Sequence, residues 1–401
     1  MTKRYSLCVH LAGAVAARAG DEMSGPSLML AAFALAGSAV DASSLLAGIT
    51  ISAAAGGPVF GALLDRAGRP GRLLGGALVL YAAGLVVILV GLGRLPFGVT
   101  ILTAVVAGLL GPALSGGWTA QLPCVVPGDR LQRANALDAM TFGVASLAGP
   151  ALAGGVAQTL GGPTAVVFSA VLIGVALPAA WMLPARPGRA RGAQQTTPVV
   201  SDLAAGLRVV VGRPSLARAT LTSVLSCAAQ GMLTACVPLL GERVLGGAGR
   251  GAVLLSCTAI SALTANAVLA RFPRSVAPDT VIWASAVVQA AALALALWGR
   301  PAVVIVAVLI AGIGEGPQLA ALFAVRHREA PERLRGQVFT TGASLKTTGF
   351  ALGAAVAGPV ATWSLPGALV FAASVAVVAA LGFFAIPSAS ASPSEDRAVS
   401  G

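Results

Sequence analysis

The sequence predicts an all-α integral membrane protein with twelve transmembrane helices in two six-helix bundles. Three observations lead to this prediction: 57% of the 401 residues are hydrophobic, only 10% are charged, and the apolar residues come in long runs. A soluble domain carries about 25% charged residues, so this composition excludes an ordinary soluble enzyme. The 50 glycines and 24 prolines agree with membrane helices, in which both residues are commoner than in soluble helices.

The apolar runs are long enough to be counted as separate spans. A transmembrane helix needs about 20 apolar residues to cross a hydrocarbon core about 30 Å thick. The breaks at charges, Pro-Gly turns and polar clusters leave twelve spans: 7–36, 43–64, 73–93, 98–121, 136–159, 163–184, 216–240, 251–270, 279–298, 301–325, 338–361 and 365–386. The first is predicted to be a retained helix and not a signal peptide, because its apolar character continues through Leu35 beyond Arg18, Asp21 and Glu22.

The distribution of basic residues indicates the orientation. With twelve spans both termini lie on one side, and most of the 26 Lys and Arg residues fall on that side. The positive-inside rule therefore predicts cytoplasmic termini. This topology explains most of the net charge of +12, so no nucleic-acid partner is needed. The preference for Arg, Ala and Gly is typical of a GC-rich bacterial coding sequence, which suggests a bacterial plasma membrane.

The spans fall into two halves that repeat each other. The predicted domains are an N-terminal six-helix bundle (1–185), a cytoplasmic central loop (186–215), a C-terminal six-helix bundle (216–386) and a disordered cytoplasmic tail (387–401). Gly149-Pro150 in the fifth span recurs as Gly358-Pro359 in the eleventh. Parallel repeats of this kind are typical of transporters that bind a substrate between their halves near the membrane midplane.

The loop between the second and third spans carries the most specific motif, Gly61-Ala62-Leu63-Leu64-Asp65-Arg66-Ala67-Gly68-Arg69-Pro70-Gly71-Arg72. It resembles the G-x-x-x-D-R-x-G-R-R signature of the major facilitator superfamily, at the loop where that family carries it. With the twelve spans and the central division, the resemblance covers nearly the whole chain. It implies secondary transport by alternating access, without a cofactor.

The resemblance also implies a gate on the cytoplasmic side. Asp65 would contact the start of the eleventh helix, around residues 336–341, where a helix dipole favours an anion. The gate's charge network would come from Arg66, Arg69 and Arg72. The motif also contains two small residues, Gly61 and Gly68. Gly61 lets the second helix approach a neighbour.

A second resemblance lies in the fifth span. Gly149, Pro150, Gly154 and Gly155 look like the family's G-P-x-x-G-G antiporter motif, with Ala153 in place of the first glycine of the pair. In the family, the proline kink favours export; close helix packing by small residues is the alternative explanation. The fourth span departs from the pattern of drug/proton antiporters, because it contains no arginine.

Four ionisable residues inside the spans are candidates for proton coupling, since charges in a membrane are costly and usually functional. Arg18, Asp21 and Glu22 share one helical face, and we expect Arg18 to pair with one carboxylate and leave the other to exchange protons. Glu315 of the tenth span either exchanges protons or pairs with a residue such as Lys346. Asp138 and Lys346 are expected to be gate or pairing residues. The polar residues that could line the cavity are Trp118, Gln121, Gln230, Asn266, Gln289 and Gln318.

The function predicted from these residues is proton-coupled export of a small amphipathic molecule across the membrane. The alternatives are a proton-coupled importer of a sugar or organic acid, an integral-membrane enzyme, and a transport-dead sensor. An enzyme or a metal site would need clustered acids, histidines or cysteines, whereas the two histidines are isolated and the five cysteines form no C-x-x-C pair. No nucleotide-binding loop is present.

Overall fold

The computed structural model describes residues 6–36, 39–185, 199–247, 251–272 and 275–386, and within these ranges it is helical and contains no β-strand. The first bundle consists of α1 (Leu7–Ala36), α2 (Ala39–Arg66), α3 (Pro70–Gly91), α4 (Phe97–Gly108), α5 (Leu131–Leu160), α6 (Gly162–Val175) and α7 (Leu177–Trp181). A connecting helix, α8 (Val199–Gly212), follows. The second bundle consists of α9 (Pro214–Leu245), α10 (Gly251–Arg271), α11 (Pro278–Ala296), α12 (Pro301–Glu329), α13 (Arg335–Trp363) and α14 (Leu365–Ala385).

These helices coincide with the predicted spans to within a few residues at their ends. Ten helices in the described ranges are long and apolar enough to cross a membrane, judged by length and composition. The other two, α1 and α13, contain 30 and 29 residues and carry more polar side chains. Large apolar side chains such as Leu80, Leu102 and Leu381 remain more than half exposed, as expected of a surface that contacts lipid.

Two spans are interrupted where proline removes a backbone donor. The fourth span leaves α-helical geometry after Gly108 and continues as a five-residue π-helix, Ala113–Gly117, directly after Pro112. The sixth span breaks between α6 and α7, next to Pro178. A π-turn inside a helix is rare and is often found at functional sites.

The predicted central loop is partly wrong, because residues 199–212 form α8 and not loop. This helix packs against α2, α9 and α13, and the Gln337 side-chain amide donates a hydrogen bond to the Leu203 carbonyl at 3.0 Å. The polar and apolar residues of this segment have the spacing of a helix. The segment follows an arginine-rich stretch, so the whole region resembled a polar loop. Residues 186–198 and the predicted tail 387–401 lie outside the described residues.

The two bundles contact each other mainly through α2 with α13 and through α5 with α10 and α12. On α2, Gly57 and Gly61 lie so close to α13 that an added Cβ would collide with Thr340 or its neighbours. The Thr340 hydroxyl donates to the Gly57 carbonyl at 2.6 Å, and the Ser344 hydroxyl donates to the Ala53 carbonyl at 2.6 Å. Two glycines one turn apart therefore allow backbone-to-backbone packing of the halves.

We expect Gly353→Ala to destabilise the second bundle, because an added Cβ would collide with the Ala228 backbone of α9. Overpacking of this kind costs about 1–3 kcal/mol and should lower the apparent melting temperature of the purified protein. Gly358→Ala on the same helix is the matched control, since a Cβ there meets nothing within 4 Å. Equal melting temperatures for the two variants would contradict the close α9–α13 packing.

Candidate gate and transport pathway

The Asp65 carboxylate joins the two bundles at the start of α13. Its two oxygens accept hydrogen bonds from the backbone amides of Gly336, at 2.7 Å, and Gln337, at 2.8 Å. These amides belong to the first turn of α13, where no helical acceptor is available, and the helix dipole favours an anion there. Asp65 is only 5% exposed. This is the contact that the sequence motif implied, and we call this side of the molecule the Asp65 end.

Two arginines of the motif, Arg69 and Arg72, do not take part in the expected charge network. Both are exposed, and in the part of the chain that the structure describes neither forms an ion pair within 4 Å. Arg66 is partly exposed at the last turn of α2, and Gly68 lies in the short turn between α2 and α3. Asp65 is the charged side chain of the motif that accepts hydrogen bonds from the start of α13.

We expect Asp65→Asn to loosen the Asp65 end, because the variant loses the charge that strengthens both hydrogen bonds. The measurement is the rate at which a maleimide modifies Thr341→Cys, a buried position of α13, after the five native cysteines have been replaced. The rate should rise several-fold. Asp129→Asn, on an exposed turn, is the control, and unchanged protection in Asp65→Asn would show that the carboxylate does not hold the bundles together.

Arg18 forms a buried ion pair inside the first bundle. Its Nη1 lies 2.9 Å from Asp138 Oδ1 of α5, and the two side chains are 2% and 0% exposed. Its guanidinium also stacks 3.7 Å from the centre of the Phe142 ring. The same guanidinium donates to the Thr119 hydroxyl at 2.9 Å, to the Ser115 carbonyl at 3.1 Å and to the Thr141 hydroxyl. This network ties α1, α5 and the interrupted fourth span into one rigid unit.

The expected pairing of Arg18 with Asp21 or Glu22 is therefore wrong. Side chains on a helix point back toward its N-terminus, so the long arginine extends away from residues 21 and 22 and toward the Asp65 end. The acidic partner comes from another helix, which helical spacing alone could not identify. Asp138, expected to be a gate or pairing residue, is the partner of Arg18.

We expect removal of either partner of the Arg18–Asp138 pair to lower the free energy of unfolding by about 3–5 kcal/mol, because the remaining charge is buried alone. Arg18→Met and Asp138→Leu would be measured singly and together, and the double variant should recover much of the loss. The exposed Arg130–Asp129 pair, at 4.0 Å, is the control, since surface pairs contribute about 0–1 kcal/mol. Additive losses at Arg18 and Asp138 would contradict the coupling.

Asp21 and Glu22 lie at the middle of the 30-residue α1 without a basic partner. Asp21 accepts a hydrogen bond from the Tyr81 hydroxyl at 2.8 Å, and that hydroxyl also lies 2.9 Å from the Ser24 hydroxyl. Glu22 is exposed. Among the described residues, no Lys or Arg lies within 4 Å of either carboxylate. A buried tyrosine thus holds the Asp21 carboxylate, whereas the Glu22 carboxylate is exposed.

The antiporter-like motif of α5 contacts Glu22 through one of its glycines. Gly149 packs against the Cβ and backbone of Glu22, with no room for a side chain. Pro150 lies inside α5, where its missing amide interrupts the helical hydrogen bonds. Gly154 and Gly155 border open space, since an added Cβ would meet nothing within 4 Å. Of these three glycines, only Gly149 has a close contact that requires its small size.

Glu315 lies at the middle of α12, opposite a side chain of α9. The Gln230 amide donates a hydrogen bond to Glu315 Oε1 at 2.5 Å. The expected ion pair with Lys346 does not form, because no contact within 4 Å joins the two side chains in the described part of the chain. Glu315 is partly exposed and is the third carboxylate near a helix midpoint.

Only one of the six predicted cavity residues is positioned to line an open space. Gln230 is partly exposed. The other five are buried inside the bundles: Trp118, Gln121, Asn266, Gln289 and Gln318. For example, the Gln318 amide donates to the Ser226 hydroxyl at 3.1 Å, and the Trp118 ring packs against that of His10. Polarity alone predicted a cavity position for these five residues, and helix packing encloses their side chains.

The sequence was also compared with protein families and known structures. The model of the Major Facilitator Superfamily matches residues 11–354. This chain belongs to the major facilitator superfamily. It is therefore a multi-pass membrane transporter of the secondary class.

Individual relatives agree with the family assignment. The chain is 28% identical over 297 residues to an uncharacterized MFS-type transporter, y4rN, of Sinorhizobium fredii, covering 71% of this chain and 70% of the relative. The fold is similar to that of a bacterial homologue of the iron transporter ferroportin in an outward-facing state, with a TM-score of 0.77 and 15% identity, covering 94% and 98% of the two chains. It is also similar to the proton:xylose symporter XylE, with a TM-score of 0.73 and 13% identity, covering 94% and 96%.

Two residues of this superfamily member escaped the sequence analysis. Tyr81 of α3 is buried and binds Asp21, but a tyrosine among apolar residues gives no local signal of that role. Arg326 of α12 is also buried, although the positive-inside rule counts it among the basic residues on the cytoplasmic side, beyond the tenth span. In the described ranges, no group of three or more His, Cys, Asp or Glu residues could hold a metal ion.

Proposed function

We propose that this superfamily member exports a small amphipathic molecule in exchange for protons, by alternating access between its two six-helix bundles. The observation that supports this proposal is the placement of three carboxylates without basic partners near helix midpoints: Asp21, Glu22 and Glu315. A carboxylate at this depth is costly while it is charged, and the cost falls when it binds a proton. Such groups suit proton exchange with the two sides of a membrane.

The Asp65 end is the cytoplasmic end in this proposal. The positive-inside rule supports this orientation, because the basic segments next to α2, α8 and the end of α12 lie there. Asp65 would release α13 when the bundles rock apart at this end and would bind it again when they close. The Arg18–Asp138 pair would keep the first bundle rigid during the movement.

The export direction rests on two features. Pro150 and Gly149 place an antiporter-like kink in α5 directly against Glu22, so that proton binding at Glu22 could alter the packing of that kink. Five of the six polar residues that could line a cavity are buried in helix packing, which favours an amphipathic substrate over a sugar. Import of a nutrient together with protons is the competing function, and the direction of substrate movement separates the two.

We expect expression of the protein in an efflux-deficient bacterial host to raise resistance to part of a panel of cationic, neutral and acidic compounds. A proton uncoupler should abolish the resistance. Glu22→Gln, Asp21→Asn and Glu315→Gln, expressed at equal levels, would identify the proton carrier, and at least one should lose resistance because it no longer exchanges a proton. Glu242→Gln, near the end of α9, is the matched control.

The outcomes separate the competing functions. Increased sensitivity to a compound would point to import. Wild-type resistance that all three variants retain would contradict coupling through these carboxylates. Unchanged sensitivity across the whole panel would contradict the export of compounds of these three classes.

A further inference from the structure

Arg326 is a buried cation without a counter-ion in the described part of the structure. Its side chain is 2% exposed, and within the same residues its Nε and Nη2 atoms have no hydrogen-bond partner. Among the described residues, no carboxylate lies within 4 Å of it. The guanidinium lies against Gly342 of α13, where an added Cβ would collide with it, and 5.8 Å from the centre of the Phe339 ring.

A buried arginine without a counter-ion lowers the stability of the fold. A buried charge without a partner costs several kcal/mol, and one aromatic ring at the limit of cation–π distance offsets only part of that. The other fully buried arginine in the described part of the chain, Arg18, is paired with Asp138. A buried carboxylate thus neutralises Arg18, whereas no carboxylate of the described residues does so for Arg326.

Polar side chains of α9 and α12 bond to each other farther along the same helices. The Cys227 thiol donates a hydrogen bond to Gln230 Oε1 at 4.0 Å, and the Gln230 amide donates to Glu315 Oε1 at 2.5 Å. Among the described residues, neither Arg326 nor Lys346 forms an ion pair with Glu315 within 4 Å. Cys227 and Glu315 are each partly exposed.

We propose that Arg326 binds the anionic group of the transported molecule, so that the substrate is an amphipathic organic anion such as a carboxylate or sulfonate. This inference rests on the proposed function as a small-molecule transporter and assigns the substrate class. A guanidinium presents two parallel donors to a carboxylate or sulfonate, and in the described structure Nε and Nη2 of Arg326 are two donors without a partner. They are enclosed in this structure, so the anion reaches them when the bundles rock apart. Phe339 offers apolar surface beside the charge.

The anion site and the proton carriers are separate in this arrangement. Arg326 follows Glu315 by eleven residues on α12, which corresponds to about 16 Å along the helix axis. Because the two sites are separate, anion binding at Arg326 can be measured in the absence of a proton gradient.

The test measures binding to the purified full-length protein in lipid nanodiscs by isothermal titration calorimetry. The probes are 2-naphthoate and naphthalene-2-sulfonate, with 2-naphthamide as the neutral counterpart. The wild type should bind the two anions at least about tenfold more tightly than the amide, since a charge-assisted hydrogen bond contributes that much or more. Arg326→Gln should abolish this preference and leave the affinity for the amide unchanged, and Arg326→Lys should retain part of it.

Two further variants separate a binding role from a structural one. Gly342→Ala should also weaken anion binding, because the added Cβ displaces the guanidinium. Arg271→Gln removes an exposed arginine at the end of α10 and should leave binding unchanged. Arg326→Gln should melt at the wild-type temperature or above, since it removes an unpaired buried charge.

The proposal is overturned if wild-type protein binds the anions no better than the amide, or if Arg326→Gln keeps the preference. Inorganic sulfate that displaced the naphthyl probes with equal affinity would also overturn the assignment to an organic anion. Because binding is measured without a pH gradient, a failure of proton-coupled export in cells would leave this result standing.

Discussion

One carboxylate at the end of α2 joins the two bundles at the start of α13. Asp65 accepts hydrogen bonds from the backbone amides of Gly336 and Gln337, across 271 residues of sequence. Helix ends leave backbone donors without partners, and because these two residues are buried, a protein acceptor takes the place of water. The glycines of α2 then allow Thr340 and Ser344 to bond to the facing backbone.

The charged side chains within the helices divide into those that are paired and those that are not. Arg18 and Asp138 neutralise each other within a network of hydroxyl groups. Asp21, Glu22, Glu315 and Arg326 have no such counter-ion in the described structure. Arg326 is buried, whereas the three carboxylates are partly or fully exposed, so the lack of a counter-ion costs most at Arg326.

The fold could be predicted because its signals are local. Hydropathy marks each span, proline and glycine mark the breaks, and the motif at 61–72 gave the partner of Asp65 through a family resemblance. Apart from the helix α8 inside the predicted central loop, the predictions that were wrong concern side-chain direction or burial. Arg18 turned toward Asp138, Gln289 and Gln318 turned into the bundle, and Arg69 and Arg72 turned outward, because neighbours on other helices decide where a flexible polar side chain finds its partners.

The sequence by itself determined the membrane class, the helix boundaries and the division into halves, since the length of an apolar run sets what can cross a bilayer. The tertiary structure alone decided which charges are paired. Pairing requires two groups to meet within about 4 Å, and helices far apart in sequence approach that closely only after the bundles have packed. For this reason Arg326 reads as a solvated residue in the sequence and is a buried, unpaired cation in the fold.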